Sequence, residues 1–220
     1  MKTPILIFIL LFKLFAFGQQ AEDKSNVDHG VSLKAVDSSE KENVYILKFD
    51  SSKAVVFPAS YAKKILGRSE QYNDVIFFKP DSSLVNSALI EIQNQYCNSL
   101  LKFRDQTFRN TIKTHKENGL RKELKKIKKQ HKEQLKQHNK LCPLQQEQLK
   151  FKDKQLIAFY RSSGDTVLYI QLLDFRQDPY NLKKYFTSSW IDGWHGWFET
   201  NTMRLNFHAE KKLVTINETL

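Results

Sequence analysis

Glycine is scarce: seven residues in 220. None sits in a phosphate-cradling pattern, so loops of the P-loop or dinucleotide-binding kind are excluded. No GxSxG nucleophile elbow is present. HExxH, paired-histidine and CxxC spacings are also missing, which removes the sequence patterns of common zinc sites. Cysteine is confined to Cys97 and Cys142, too few for a disulfide-dense scaffold but enough for one bridge. The long apolar run, residues 5–12, is broken at Lys13 and falls short of the roughly 20 residues a bilayer span requires. There is no internal repeat. Aromatic residues are missing between Leu120 and Leu141, where Lys far outnumbers Arg. Base stacking and bidentate base readout both lack their usual residues there, so sequence-specific nucleic-acid recognition is not expected.

Negative charge is short in one region. Residues 102–154 hold 17 Lys/Arg against 6 Asp/Glu, a net of +11, which equals the formal charge of the whole chain. Two periodic segments meet inside this region at Asn118-Gly119. Upstream, Val85, Leu89, Ile92, Tyr96, Leu100 and Phe103 step by three or four. Downstream, Leu120, Leu124, Ile127, His131, Leu135, His138 and Leu141 do the same, so both read as helical stripes. Asn-Gly stops a helix because both residues tolerate the left-handed conformation of a C-terminal cap. Pro143 is expected to end the second helix, since it lacks an amide hydrogen and restricts the residue before it.

Folded antiparallel about that turn, Cys97 lies 21 residues before Asn118 and Cys142 lies 23 after Gly119, so the two cysteines come level. The same register sets Phe108 near His131, Leu100 near His138 and Ile112 near Ile127. A Cys97–Cys142 disulfide is expected; the competing geometries are two unrelated buried thiols, or one long helix running through the Asn-Gly pair. The second helix has a narrow apolar seam and crowded lysines, so it depends on packing against the first.

Residues 1–18 read as a secretory signal, with Lys2 in the n-region and Ala16-Phe17-Gly18 at a cleavage site after Gly18. The protein is therefore expected to be exported, periplasmic or secreted, where a disulfide can persist. Residues 19–42 are polar, lack aromatics and read as a flexible leader. Residues 43–220 are expected to form a single α+β domain with a helical hairpin over 82–142. Strands are expected at 44–49, 54–57, 74–79, 155–160, 166–175, 197–207 and 213–216, and short helices at 60–66 and from Asp178-Pro179 to Phe186. The order gives a long helix and a basic antiparallel helical hairpin packed with an antiparallel β-meander. A cystatin-like wrap of sheet around helix suits that order, as an analogy of architecture that carries no function.

Four chemistries are weighed. The basic arm, through Arg121, Lys122, Lys125, Lys126, Lys128, Lys129, Lys132 and Lys136, is suited to an anionic polymer or envelope surface, or is simply a solvated face. The block with Trp190, Trp194 and Trp197 is a ligand platform or, more in keeping with indole burial, core with its indole nitrogens hydrogen-bonded. Asp192, His195, Glu199 and His208 lie close enough in sequence for a metal or acid–base site, and His138 with Cys97 and Cys142 for a weaker one. A thiolate nucleophile at Cys97 or Cys142 competes directly with the disulfide. The balance favours an exported binding or structural module over an enzyme, with no cofactor implied. The alternatives are an enzyme or metal protein at Asp192/His195/Glu199/His208, and a subunit of an envelope assembly.

Overall fold

The computed structural model describes residues 32–35, 43–67, 69–120, 122–193 and 197–217. Residues 1–18, expected to be a signal segment, lie outside them, as do Arg121, Trp194 and His195. The fold is α+β. Its main sheet contains Tyr45–Lys48 (β2), Lys53–Val56 (β3), Val75–Phe78 (β4), Asp153–Arg161 (β5), Thr166–Leu173 (β6), Thr202–His208 (β8) and Leu213–Asn217 (β9). The strand order is β2-β3-β5-β6-β8-β9, with β4 also paired to β5. From β5 to β9 the strands form the expected antiparallel meander. The sheet as a whole is mixed, because β3 runs parallel to β5. Parallel neighbours need a long crossover, and residues 57–152 supply it.

That crossover holds Ala59–Leu66 (α1) and the two long helices, Ser82–Glu117 (α2) and Leu124–Gln148 (α3). Gly67 follows α1 with φ −67°, so it is not a left-handed stop. A Cβ there would approach the Lys63 carbonyl oxygen to 2.5 Å, and close packing is what selects glycine. Asp81 caps α2, its Oδ1 accepting from the Leu84 amide at 2.7 Å. The inward stripe of α2 is Val85, Ala88, Ile92, Tyr96 and Leu100. It packs on Ala54, Val56, Leu156, Leu168, Ile170 and Leu205 of the sheet. The helix also covers the outer edge of β9. Gln95 donates to the Lys212 carbonyl and accepts from the Val214 amide, and Ser99 donates to the Val214 carbonyl. An edge strand is thereby closed to further pairing.

The opposite face of the sheet carries a second layer. Ser32–Ala35 (β1), inside the expected flexible leader, pairs antiparallel with Ser189–Asp192 (β7). Those four leader residues are ordered by a partner more than 150 positions away, a contact with no local signature. Side chains hold β7 against the sheet. Gln155 donates to the Phe186 and Ser189 carbonyls and accepts from the Ile191 amide; Gln171 donates to the Ile191 carbonyl. The Tyr61 hydroxyl accepts from the Trp190 amide at 2.6 Å. Phe57, Tyr61, Phe159, Tyr169, Trp190, Trp197 and Phe198 fill the layer between.

Three expected boundaries move. Pro143 lies inside α3, which continues to Gln148. The lost amide bond is tolerated because both flanks are anchored: Cys142 to Cys97, and Gln146 to Gln93 through reciprocal amide–carbonyl bonds. The helix expected from Asp178 is a short 3-10 turn, Leu182–Tyr185. Asp178 still caps it, accepting from the Leu182 and Lys183 amides at 2.8 Å, across Asn181 in the left-handed region. The strand expected over 197–207 begins as a short helix, Trp197–Asn201 (α4), before β8. Asn201 and Thr202 return their side chains to the Trp197 and Phe198 carbonyls, satisfying that turn locally.

Candidate anionic-ligand interface

The basic arm is the part of α2 and α3 that runs past the core. The last fully buried residue of α2 is Leu100, and α3 buries only His131, His138 and Cys142. Residues 101–117 rise about 25 Å at 1.5 Å per residue. The turn at the tip is a Schellman cap: the Leu120 amide donates to His115, the Gly119 amide to Lys116, and Gly119 has φ +72°. This cap uses up Leu120 and delays α3 to Leu124, past the expected start.

At the base of the arm Cys97 and Cys142 form a disulfide, with Cα atoms 5.7 Å apart. The expected register holds along the seam. Phe108 stacks on His131, ring centroids 3.8 Å apart and ring planes nearly parallel. His131 Nε2 lies 3.6 Å from Asp105, and His115 Nε2 lies 3.5 Å from Glu123. His138 Nδ1 is 3.2 Å from Arg104 Nη1. Burial and the Arg104 charge hold the His138 pKa below its ordinary value, against a hydrogen bond with the Cys97 backbone. The seam is thus built from histidines and aromatics where a simple helix pair would use leucines.

The outward face is basic. Lys122, Lys125, Lys126, Lys128, Lys129, Lys132 and Lys136 are all exposed. Lys136 pairs with Glu133 at 4.0 Å; the other six form no ion pair with a described residue. Glu123, one of the few acids nearby, is turned towards His115. Seven of the eight expected binding residues therefore lie on one projecting helical arm, and Arg121 falls outside the described residues.

The Asp192, His195, Glu199 and His208 grouping does not come together as far as its described members show. Asp192 is ion-paired with Arg204 and accepts from the Gly193 amide. His208 Nδ1 sits 2.7 Å from Asp165, four positions along β8 from Arg204 and so about 13 Å away. The first pair ties β7 to β8, and the second ties the β5–β6 turn to β8. The His195 and Glu199 side chains lie outside the described residues. Among the described residues no group of three or more His, Cys, Asp or Glu could hold a metal ion. His138, Cys97 and Cys142 are no exception, since the cysteines are bonded to each other.

Trp190 and Trp197 are buried in the core, as favoured. Trp190 stacks on Tyr169 and Trp197 on Phe175. Trp197 Nε1 donates to the Gln177 carbonyl. Trp190 Nε1, expected to be bonded, has no hydrogen-bond partner among the described residues, and neither does the Tyr169 hydroxyl. Burial pushes the Tyr169 pKa up, opposed by the nearby Arg204. One buried cation had no motif to announce it. Lys154 donates to Ser52 Oγ at 2.7 Å, and burial lowers its pKa to about 8. Its place gives no signal: Lys154 stands between Asp153 and Gln155, ahead of the apolar run of β5, and reads as the polar start of a strand.

Among the described residues no helix is long and apolar enough to cross a membrane. No protein-family model, curated protein or solved structure matches the chain.

Proposed function

We propose that this chain is an exported binding module that associates with an anionic polymer or surface through its basic arm. The observation that carries the reading is a set of exposed lysines with no ion pair among the described residues: Lys122 in the turn before α3, and Lys125, Lys126, Lys128, Lys129 and Lys132 on α3, which is fastened to the core at Cys142. Lysines already matched by acids would gain little from a polyanion. These would exchange only water and counterions for it, which makes the association favourable at low salt and steeply salt-dependent. Export is supported by the residue 1–18 pattern and by a disulfide, a bond that persists in oxidising compartments.

The test is retention on immobilised heparin across a salt gradient. The variant Lys125→Gln/Lys126→Gln/Lys129→Gln/Lys132→Gln is expected to elute at clearly lower salt than the parent chain, with its melting temperature unchanged. Equal elution of the two would sink the reading. Release of the arm to an acidic partner protein would instead appear as stoichiometric co-purification that survives the salt at which heparin lets go.

A further inference from the structure

The two helices of the arm leave a groove of about 430 Å³ near its tip. Its apolar lining is Phe108 and Ile112, both half-buried and four residues apart on α2. Lys116 continues the same stripe one turn further towards the tip. Lys128 enters from α3, Arg109 and Lys113 flank the stripe, and Glu117 is the single acid. The cations are not equivalent. Arg109 is matched by Asp105 at 2.7 Å, and Lys113 by Glu117 at 3.9 Å. Lys116 and Lys128 form no ion pair with a described residue.

We propose that this groove binds a single anionic amphiphile. Its alkyl or acyl chain lies along Phe108 and Ile112, and its anionic head rests at Lys116 and Lys128. This builds on the arm being the binding element and adds the alkyl chain to the ligand. Charge and apolar surface select the class together. A hydrophilic polyanion leaves Phe108 and Ile112 facing water, and a neutral lipid brings no anion to the Lys116 and Lys128 ammonium groups. A second copy of the chain would bring one basic arm against another, which like-charge repulsion opposes. An extended chain can enter a groove between two helices; a flat bilayer surface cannot reach side chains half-buried there.

The test is calorimetric titration of the full chain with dodecyl phosphate below its micelle concentration, with butyl phosphate alongside. Dodecyl phosphate is expected to bind one per chain, at least about tenfold tighter than butyl phosphate, because only the longer chain covers the apolar lining. Ile112→Asn is expected to remove most of that difference while leaving heparin retention unchanged. Lys116→Gln/Lys128→Gln, at exposed positions, is expected to weaken binding of both phosphates. Equal affinity for the two phosphates would overturn the proposal, as would saturation only by vesicles of anionic phospholipid, or a dimer that closes the groove. Dodecyl phosphate binding without heparin retention would uphold the groove and sink the polymer reading. If Ile112→Asn lowers the melting temperature, the dodecyl-to-butyl ratio measured on the parent chain and the double lysine variant decides alone.

Discussion

His138 makes the stability of the arm depend on pH. Its Nδ1 faces the Arg104 guanidinium, which has only donors, so that contact requires an unprotonated nitrogen. The folded pKa lies below the ordinary 6.5. The unfolded chain therefore takes up the proton first as pH falls. Stability is complete above about 6.5 and is lost as pH drops towards the lower folded value. Amide hydrogen exchange in residues 101–140, corrected for intrinsic rate, is expected to quicken between pH 7.5 and 5.5, and to do so less in His138→Gln. Identical pH responses in the two proteins would remove His138 from the account. Lys154 acts in the opposite window. Its folded pKa of about 8 lies below the ordinary 10.5, so the unfolded chain holds the proton more tightly between those values. Its contribution to stability rises with pH across that window, and below about 8 the penalty of a buried ammonium is present in full. Lys154→Met is expected to stabilise the protein at pH 7 by on the order of 1–2 kcal/mol, despite leaving Ser52 without its donor. The gain should shrink towards pH 10.5, as read by thermal melts at the two pH values.

Among the elements, α3 carries an internal contradiction. It is rich in lysine, narrow in its apolar stripe, and interrupted by an exposed Pro143, yet it runs for 25 residues. A proline in a helix interior costs about 3 kcal/mol, so the helix persists only because Cys142 and Gln146 are fixed from α2. Pro143→Ala is expected to raise the melting temperature. A fall would mean that the proline sets the path that brings Cys142 to Cys97. Gly119→Ala at the tip is expected to cost about 1 kcal/mol. The source is backbone conformation, since φ is +72° and, chain neighbours aside, no described residue lies within 4 Å of the added Cβ. The stop at Asn118-Gly119 was legible because it is local: one residue pair and one backbone conformation. The continuation past Pro143 was not, because it depends on partners 45 and 53 positions away.

At the scale of the molecule, the chain is a sheet with unlike layers on its two faces and an arm projecting from one of them. The disulfide joins arm to core and closes a loop of about 46 residues, which on the chain-entropy model stabilises by about 4 kcal/mol. Cys97→Ser/Cys142→Ser is expected to lose a comparable amount in urea unfolding, and to loosen the arm before the sheet in hydrogen exchange. A loss under about 1 kcal/mol would mean that the seam of Phe108, His131 and His138 suffices by itself, short of the usual range for such a bond. The second layer rests on Gln155 and Gln171, which hydrogen-bond the backbone of β7 in addition to its pairing with β1. In sequence each is a polar residue in a buried strand, and nothing marks it as a partner for the backbone of residues 189–191.

Periodicity, turn residues and charge are properties of neighbours along the chain. From these alone follow the α+β class, the hairpin, its register, the pairing of the two cysteines and the concentration of positive charge on the arm. The direction of β3 beside β5, the strand β1 inside a polar leader, the burial of Lys154 and the separation of Asp192 from His208 are contacts between distant segments. They exist only once the layers have closed, because their energy comes from side chains meeting across a packed interface that no local pattern encodes.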